Sequence, residues 1–316
     1  MHQDSATINP TPYRSGFPVD TIPTKPTSEQ NKQLLINVLR QLVGSLNWLS
    51  VGTRPDLTTI TQFLAQHQSN PNQGHLQAAK YAIKYIKGTT NYGIVFDSDE
   101  NKIPNAHLHY EKKQPIGISD ANWGPQDQSQ PARSSSSPVD IPKSRSISGH
   151  IIHFHGPIHW QSKRQSITAL SSTESEIYAT CECTKELLYV KQILNDLFPN
   201  HPQFSKTYTI YNDNMGCVLW SQNKTTRSIR HIQLRENHVR ENVQNKTIQI
   251  KHTAGNTNIA DIFTKEDKDK PHFLQIRNHI VKPCPQTTLP TTNRVSFSEN
   301  TNYKQFSAFR TSALIS

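Results

Sequence analysis

The chain has 316 residues, of which only 33% are hydrophobic, and it carries a formal charge of +10 at a mean hydropathy of −0.68. Apolar content this low excludes one core packed along the whole length, so linker or tail segments are expected. The basic excess points to a polyanionic partner, nucleic acid first; no membrane partner is expected.

Residues 1–27 carry Pro10, Pro12, Pro18, Pro23 and Pro26 with little apolar periodicity, and read as an extended lead-in. The opening MHQDSATINP lacks the basic-then-apolar pattern of a secretory leader, and no stretch is expected to reach bilayer-spanning length. A first unit, 28–97, is helical. Leu34, Val38, Leu42, Leu46 and Leu49 recur at helical spacing over 29–50. A second helix starts at Pro55, with Thr53 and Asp56 as a capping box and Leu57, Ile60 and Leu64 inward. A third runs from Gln73 to Lys87, with Leu76, Ala79, Ile83 and Ile86 inward and Gly88 as its stop. YGIVF at 92–96 reads as a short closing strand.

Residues 98–114 read as a polar connector to a second unit, 115–266. IGISD at 116–120 alternates like a strand, and 124–147 is a Ser-, Pro- and Gln-rich flexible insertion. HIIHFHG and PIHWQSK form a hairpin around Gly156-Pro157. A long helix spans 172–198, a strand 208–213, and a short helix ends near 222. A charged helix spans 231–244 and a strand 247–252, and a last helix begins near Asn258. Interleaved strands and helices predict an α/β mixed sheet flanked by helices. Residues 267–316 read as a poorly ordered tail. Cys181, Cys183, Cys217 and Cys284 contain no C-x-x-C pair and read as small buried thiols in a reducing compartment.

Four acids among the 24 stand at strand ends and helix starts: Asp120, Glu176, Asp213 and Asp261. Such places are where a sheet can gather carboxylates from distant sequence. Crowded carboxylates repel unless cations neutralise them, and two Mg²⁺ ions about 4 Å apart would do so and could catalyse phosphodiester hydrolysis. Position alone leaves open that they are ordinary surface acids.

The motifs around these acids resemble copia-type retrotransposon Pol polyproteins. ALSSTESEIYA at 169–179 is similar to the family's signature ribonuclease H helix, IYNDNMG at 210–216 to its strand–Asp–Asn motif, and NIADIFTK at 258–265 to its closing motif. SDANW at 119–123, SRSISGH with WQSKRQ, and RHIQLRENHVRE at 230–241 follow in the family's order. LVGSLNWLSVGTRPDL at 42–57 and AAKYAIKYIKGTTNYGIVF at 78–96 resemble the end of its reverse transcriptase. The resemblance implies a ribonuclease H-like fold over 115–266, preceded by a helical remnant of the polymerase whose own Tyr-x-Asp-Asp motif is not in this sequence. It implies that Asp120, Glu176, Asp213 and Asp261 hold two Mg²⁺ ions, with Mn²⁺ as a substitute, and cleave RNA in an RNA–DNA hybrid. Glu174, three residues after Ser171, is left to a capping box. Asn122 departs from the family, which has a second Asp there. Other implied partners are the rest of the Pol polyprotein, and the implied place is intracellular, in a cytoplasmic virus-like particle or the nucleus. A second reading stays open: a non-catalytic nucleic-acid-binding remnant.

His252 sits nine residues before Asp261 in a segment resembling the histidine-bearing loop of ribonucleases H. A proton shuttle or product-release role and an ordinary loop histidine both stand. Lys163, Arg164, Arg227, Arg230, Arg235 and Arg240 are the basic residues expected to meet phosphates. His153, His155 and His159 share a hairpin and leave a zinc site open, with no matching Cys or carboxylate beside them.

Overall fold

A computed structural model describes residues 9–13, 29–96, 114–123, 145–222, 230–265 and 270–284, with side chains of 230–236 left aside. The insertion at 124–147, the connector and most of the lead-in therefore lie largely outside the described residues, as do Arg227 and the end of the tail.

Helix α1 (Glu29–Gly52) packs on α2 (Thr58–Gln66) and α3 (Gln73–Gly88). Its buried stripe is Ile36, Leu39, Val43 and Leu46. The expected stripe was rotated: Leu34 is exposed, while Val38, Leu42 and Leu49 only flank the core. Several apolar residues on one helix define two overlapping stripes, and only the partner helices choose between them. By length and hydropathy, Gln30–Gly52 is one helix long and apolar enough to cross a membrane, contrary to the sequence expectation, although its buried face is taken by α2 and α3. On α3 the core takes Ala78, Ala79, Ala82 and Tyr85. The small residues let α3 approach α1 closely, and Ile83 is left partly outside.

The expected Thr53–Asp56 box is absent. Pro55–Leu57 is a single 3-10 turn without a side-chain cap. Asp56 instead accepts two hydrogen bonds from the Arg54 guanidinium, at 2.9 and 2.8 Å, and one from the Tyr85 hydroxyl at 2.6 Å. Asn72 caps α3 by accepting from the His75 N–H. The lead-in is docked at Tyr13, which is buried in this helical core, and at Asn9, whose amide donates to the Tyr81 carbonyl.

The strand expected at 92–96 shrinks to β1 (Tyr92–Gly93). The second unit adds β2 (Ile116–Asn122), the hairpin β3 (Ile147–His153) and β4 (Pro157–Arg164), then α4 (Ser172–Leu197). It continues with β5 (Tyr208–Asn212), α5 (Met215–Gln222), α6 (Arg230–Gln244) and β6 (Ile248–His252). The five strands run in the order β4-β3-β2-β5-β6. β2, β3 and β4 pair antiparallel, whereas β2–β5 and β5–β6 are parallel. Strand alternation divides the apolar residues between two faces. Ile152, Tyr208, Ile210, Ile248 and Ile250 meet α4, α5 and α6. Ile116, Ile118, Ile151 and Tyr211 meet the other face.

That other face is covered by segments the sequence reading misplaced. In place of a helix from Asn258 there are two 3-10 turns, Gly255–Thr257 and Ile259–Phe263, the second capped by the Asn258 side chain accepting from Ala260 N–H. The supposed tail continues as α7 (Lys270–Ile280) and β7 (Lys282–Pro283), which pairs with β1. Ile276 and Ile280 are buried against the sheet, and Phe273 packs against both apolar cores. Cys181, Cys183 and Cys217 are buried free thiols, whereas Cys284 is exposed, contrary to expectation.

Candidate metal centre

The parallel β2–β5 register pairs Ile118 with Tyr211. Two residues on, at the carboxyl ends of both strands, come Asp120 and Asp213. A side-chain period of two then places both carboxylates on the same sheet face. Asp261 arrives from the Ile259–Phe263 turn. That turn can press on the sheet because Gly149, opposite Asp120 on β3, has no side chain. A Cβ there would fall 2.6 Å from both Phe263 Cβ and Thr264 Cγ2. Ligand oxygens of Asp120, Asp213 and Asp261 consequently lie within 4.8 Å of one another.

Glu176 comes from the opposite face on α4. Gly117 permits that approach, since a Cβ would sit 2.6 Å from Cys183 Sγ. Glu176 Oε2 accepts a 2.9 Å bond from Asn212 Nδ2, which also donates to Ser119 Oγ at 3.1 Å. Ser119 Oγ and Thr180 Oγ1 are 3.1 Å apart, and this polar chain is fully buried. Glu176 is therefore beside the aspartates but outside their group of three. Ser171 caps α4 by accepting from Glu174 N–H, and the Glu174 carboxylate accepts from Leu170 N–H at 2.7 Å, which leaves Glu176 for the centre.

The electrostatics are those of an acid cluster short of cations. Burial, then the Asp261 and Asp213 charges, push the Asp120 carboxyl up to about 7, against the pull of Lys265. Burial and the Asp120 charge push Glu176 up to about 9, against its Asn212 bond. Burial also raises Asp213. The Asp120 carboxylate accepts from the Thr264 hydroxyl and, at 3.5 Å, from Asn258 Nδ2. Lys265 Nζ lies 2.7 Å from Asp261 Oδ1 and 3.6 Å from Asp120 Oδ1. His272 Nε2, from α7, lies 3.1 Å from Asp261 Oδ2.

Sequence reasoning missed Asn212, Asn258, Thr264, Lys265 and His272. Asn212 stands inside IYNDNMG, and Asn258, Thr264 and Lys265 inside NIADIFTK, beside the acids that those motifs mark. His272 lies in the segment dismissed as tail. His252 is not a loop residue but the last residue of β6, beside Asn212 in the register. Its Nε2–H donates to the Asp213 backbone carbonyl at 3.1 Å. Asn122 ties the end of β2 to the closing turn by donating to the Thr264 carbonyl at 3.3 Å.

Among the basic residues, Lys163 is exposed on β4, across β3 from Ala121. Arg164 bonds Gln66 Oε1 at 3.3 Å. Arg230 and Arg235 are on α6, with side chains outside the described set. Arg240 is a correction: it is buried, its guanidinium lies 4.8 Å from the Trp220 ring, and its Nε donates to the Trp220 carbonyl. In the hairpin, His150 and His159 stack at 5.3 Å, and no metal group forms there among the described residues.

No protein-family profile matches the chain. It is 28% identical over 243 residues to the retrovirus-related Pol polyprotein from transposon TNT 1-94 of Nicotiana tabacum, covering 76% of this chain and 16% of that protein. It is 30% identical over 228 residues to that of transposon RE2 of Arabidopsis thaliana, covering 72% and 14%. The chain thus spans only about one seventh of the length of these curated relatives. It is also 34% identical over 149 residues to secreted RxLR effector protein 161 of Plasmopara viticola, covering 47% of this chain and 87% of that protein. Among solved structures, LC11-RNase H1 in complex with an RNA/DNA hybrid overlays 48% of this chain and 94% of its own, at 12% identity and a TM-score of 0.31. The motif order read from the sequence and the similarity over about three quarters of the chain agree: the chain is a homologue of the retrovirus-related Pol polyproteins of copia-type transposons.

Proposed function

We propose that the chain hydrolyses the RNA strand of RNA–DNA hybrids inside the cell, as part of a retrotransposon's reverse-transcription apparatus. The observation that carries this reading is the convergence of Asp120, Asp213 and Asp261 within 4.8 Å at the carboxyl ends of two parallel strands. The donor set is all carboxylate oxygen, which suits hard divalent cations such as Mg²⁺ or Mn²⁺. The raised Asp120 and Glu176 carboxyls fit a cluster whose charge calls for more cation than the protein supplies. The residues present therefore fit a two-ion site held by Asp120, Glu176, Asp213 and Asp261. When bound, the ions supply Lewis-acid stabilisation of a phosphate and a more acidic water.

The chain's own residues do the rest. Thr264 and Asn258 fix the Asp120 carboxylate, and Asn212 fixes Glu176, so the oxygens are aligned before any ligand arrives. Asp213 is only partly buried, which opens the cluster on that side. His252 is anchored there through Nε2, and Nδ1 is the atom at which it would hold or pass a proton. Lys163, Arg164, Arg227, Arg230 and Arg235 would position the duplex through its phosphates.

Purified chain should cut the RNA of a labelled hybrid in Mg²⁺ and spare single-stranded DNA, and Asp213→Asn should abolish cutting because an amide lacks the charge. Full cleavage by that variant, with contaminating nuclease excluded, would sink the assignment. Hybrid binding without cleavage by the parent would favour the non-catalytic remnant.

A further inference from the structure

Lys265 enters the acid cluster in a way that an ordinary surface lysine does not. Its backbone N–H bonds the Asp261 carbonyl at 2.9 Å, so the end of the 3-10 turn fixes where its stem begins. Its ammonium then reaches both Asp261 and Asp120. The Asp120 side chain is almost fully buried, whereas 44% of the Lys265 side chain is exposed. The stem thus runs from solvent into the cluster, with the charge at its inner end. Burial alone would lower the Lys265 amine, but the Asp120 and Asp261 charges outweigh it and hold it above the usual lysine range. The oxygens it contacts are ones a divalent ion would also take.

We infer that Lys265 is the resident counter-ion of the metal-free centre, seated between Asp120 and Asp261 and displaced from them by the divalent cation. This rests on the metal-centre reading above and adds a competition to it. A lysine suits the role: it is a compact point charge on a flexible four-carbon stem, able to withdraw along the solvent path. Without it, three carboxylates would face one another in a mostly buried space. With it, the protein folds before metal arrives, and the ion must compete for the oxygens. Once displaced, the ammonium stays at the rim of the centre on the side by which it entered.

The test uses the whole chain as Lys265→Met, Lys265→Arg and, as a control outside the cluster, Lys163→Met. Melting is measured in chelator at low salt, and Mn²⁺ affinity by calorimetry. Lys265→Met should melt about 2–4 °C lower without metal. It should also bind Mn²⁺ at least roughly threefold more tightly, the scale of a partly exposed ion pair. Lys265→Arg and Lys163→Met should melt like the parent. If Lys265→Met binds Mn²⁺ no more tightly than a metal-binding parent, the displacement is wrong. If no variant binds Mn²⁺ at all, the metal centre itself is wrong, and a lowered metal-free melting point would then mark Lys265 as a plain structural ion pair, overturning the competition as well.

Discussion

Asp56 and Asp120 are both almost fully buried, yet the two halves of the molecule treat them in opposite ways. In the helical half, Asp56 is saturated. A bidentate guanidinium and a tyrosine hydroxyl fill its oxygens, and Arg54 in turn bonds the Thr89 carbonyl and hydroxyl. In the sheet half, Asp120 faces two more aspartates and Glu176 lies close by, with one ammonium among them. A buried acid whose partners balance its charge is a structural joint. A buried acid whose neighbours share its sign holds stored repulsion that a ligand can relieve. Burial does not separate the two roles; the partners do.

The sharpest test of that contrast replaces each acid in turn. Asp56→Ala leaves the Arg54 guanidinium buried without a counter-charge, so unfolding free energy in urea should drop by about 3–5 kcal/mol. Asp120→Asn removes repulsion instead. The metal-free protein should melt no lower than the parent at pH 8, while hybrid cleavage is lost. Equal destabilisation by the two changes would erase the distinction.

The sequence carried much of the sheet half because each motif sits on one element. The strand ends around Asp120 and Asp213, the α4 start at Ser171 and the β3–β4 hairpin are local signals of capping, alternation and turns. What it did not carry depends on contacts across the chain. The buried face of α1 is chosen by α2 and α3. α7 has few apolar residues, and its order comes from Phe273, Ile276 and Ile280 meeting cores built by distant segments. Lys265 read as part of a motif, and only the placement of Asp120 beside it gives it a role. Asp56 looked like a helix cap because its spacing from Thr53 was right, but a buried arginine one residue away from that Thr outcompetes a backbone N–H for its carboxylate.

Gly149→Ala probes how the sheet half gathers its acids. The new methyl would collide with Phe263 and Thr264, so the closing turn must shift. Overpacking of this kind costs about 1–3 kcal/mol. The same shift would carry Asp261 and Lys265 away from Asp120, so the melting rise produced by Mn²⁺ should shrink along with stability. Lost stability with an unchanged Mn²⁺ response would show that the turn and the centre are independent.

Acid brings out a different set of buried groups. Burial and His159 push the His150 imidazole down to about 3, and burial with His279, Lys282 and His155 pushes His153 down to about 4. His159 itself lies 3.9 Å from Glu186. In the unfolded chain both histidines take up protons near pH 6.5, before the folded protein can. The stability they permit is therefore present above about pH 6.5 and is lost as pH falls towards 4 and then 3. Between pH 7 and pH 4.5 the parent should lose about 5 kcal/mol to this pair. His150→Phe should lose less over the same interval, as seen in urea midpoints. An unchanged pH slope would place the acid sensitivity elsewhere.

His252→Ala should disturb the fold least. The side chain is exposed at the end of β6, and its hydrogen bond is to a backbone carbonyl whose strand is already held by the β5–β6 ladder. Losing one such bond should cost no more than about 1 kcal/mol. The informative readout is kinetic. The ring is fixed next to Asp213, at the open side of the cluster, so a histidine that passes protons there should be missed in turnover and not in affinity. General acid–base contributions are typically about 10²–10⁴-fold, and a single-turnover rate reduced on that scale, with hybrid affinity within about twofold, is the expected result. A loss confined to affinity would recast His252 as a phosphate contact. A variant equal to the parent in rate and affinity would leave it as the last residue of a strand, and Asp213 would keep its place through Asn258 and the β5 backbone without it.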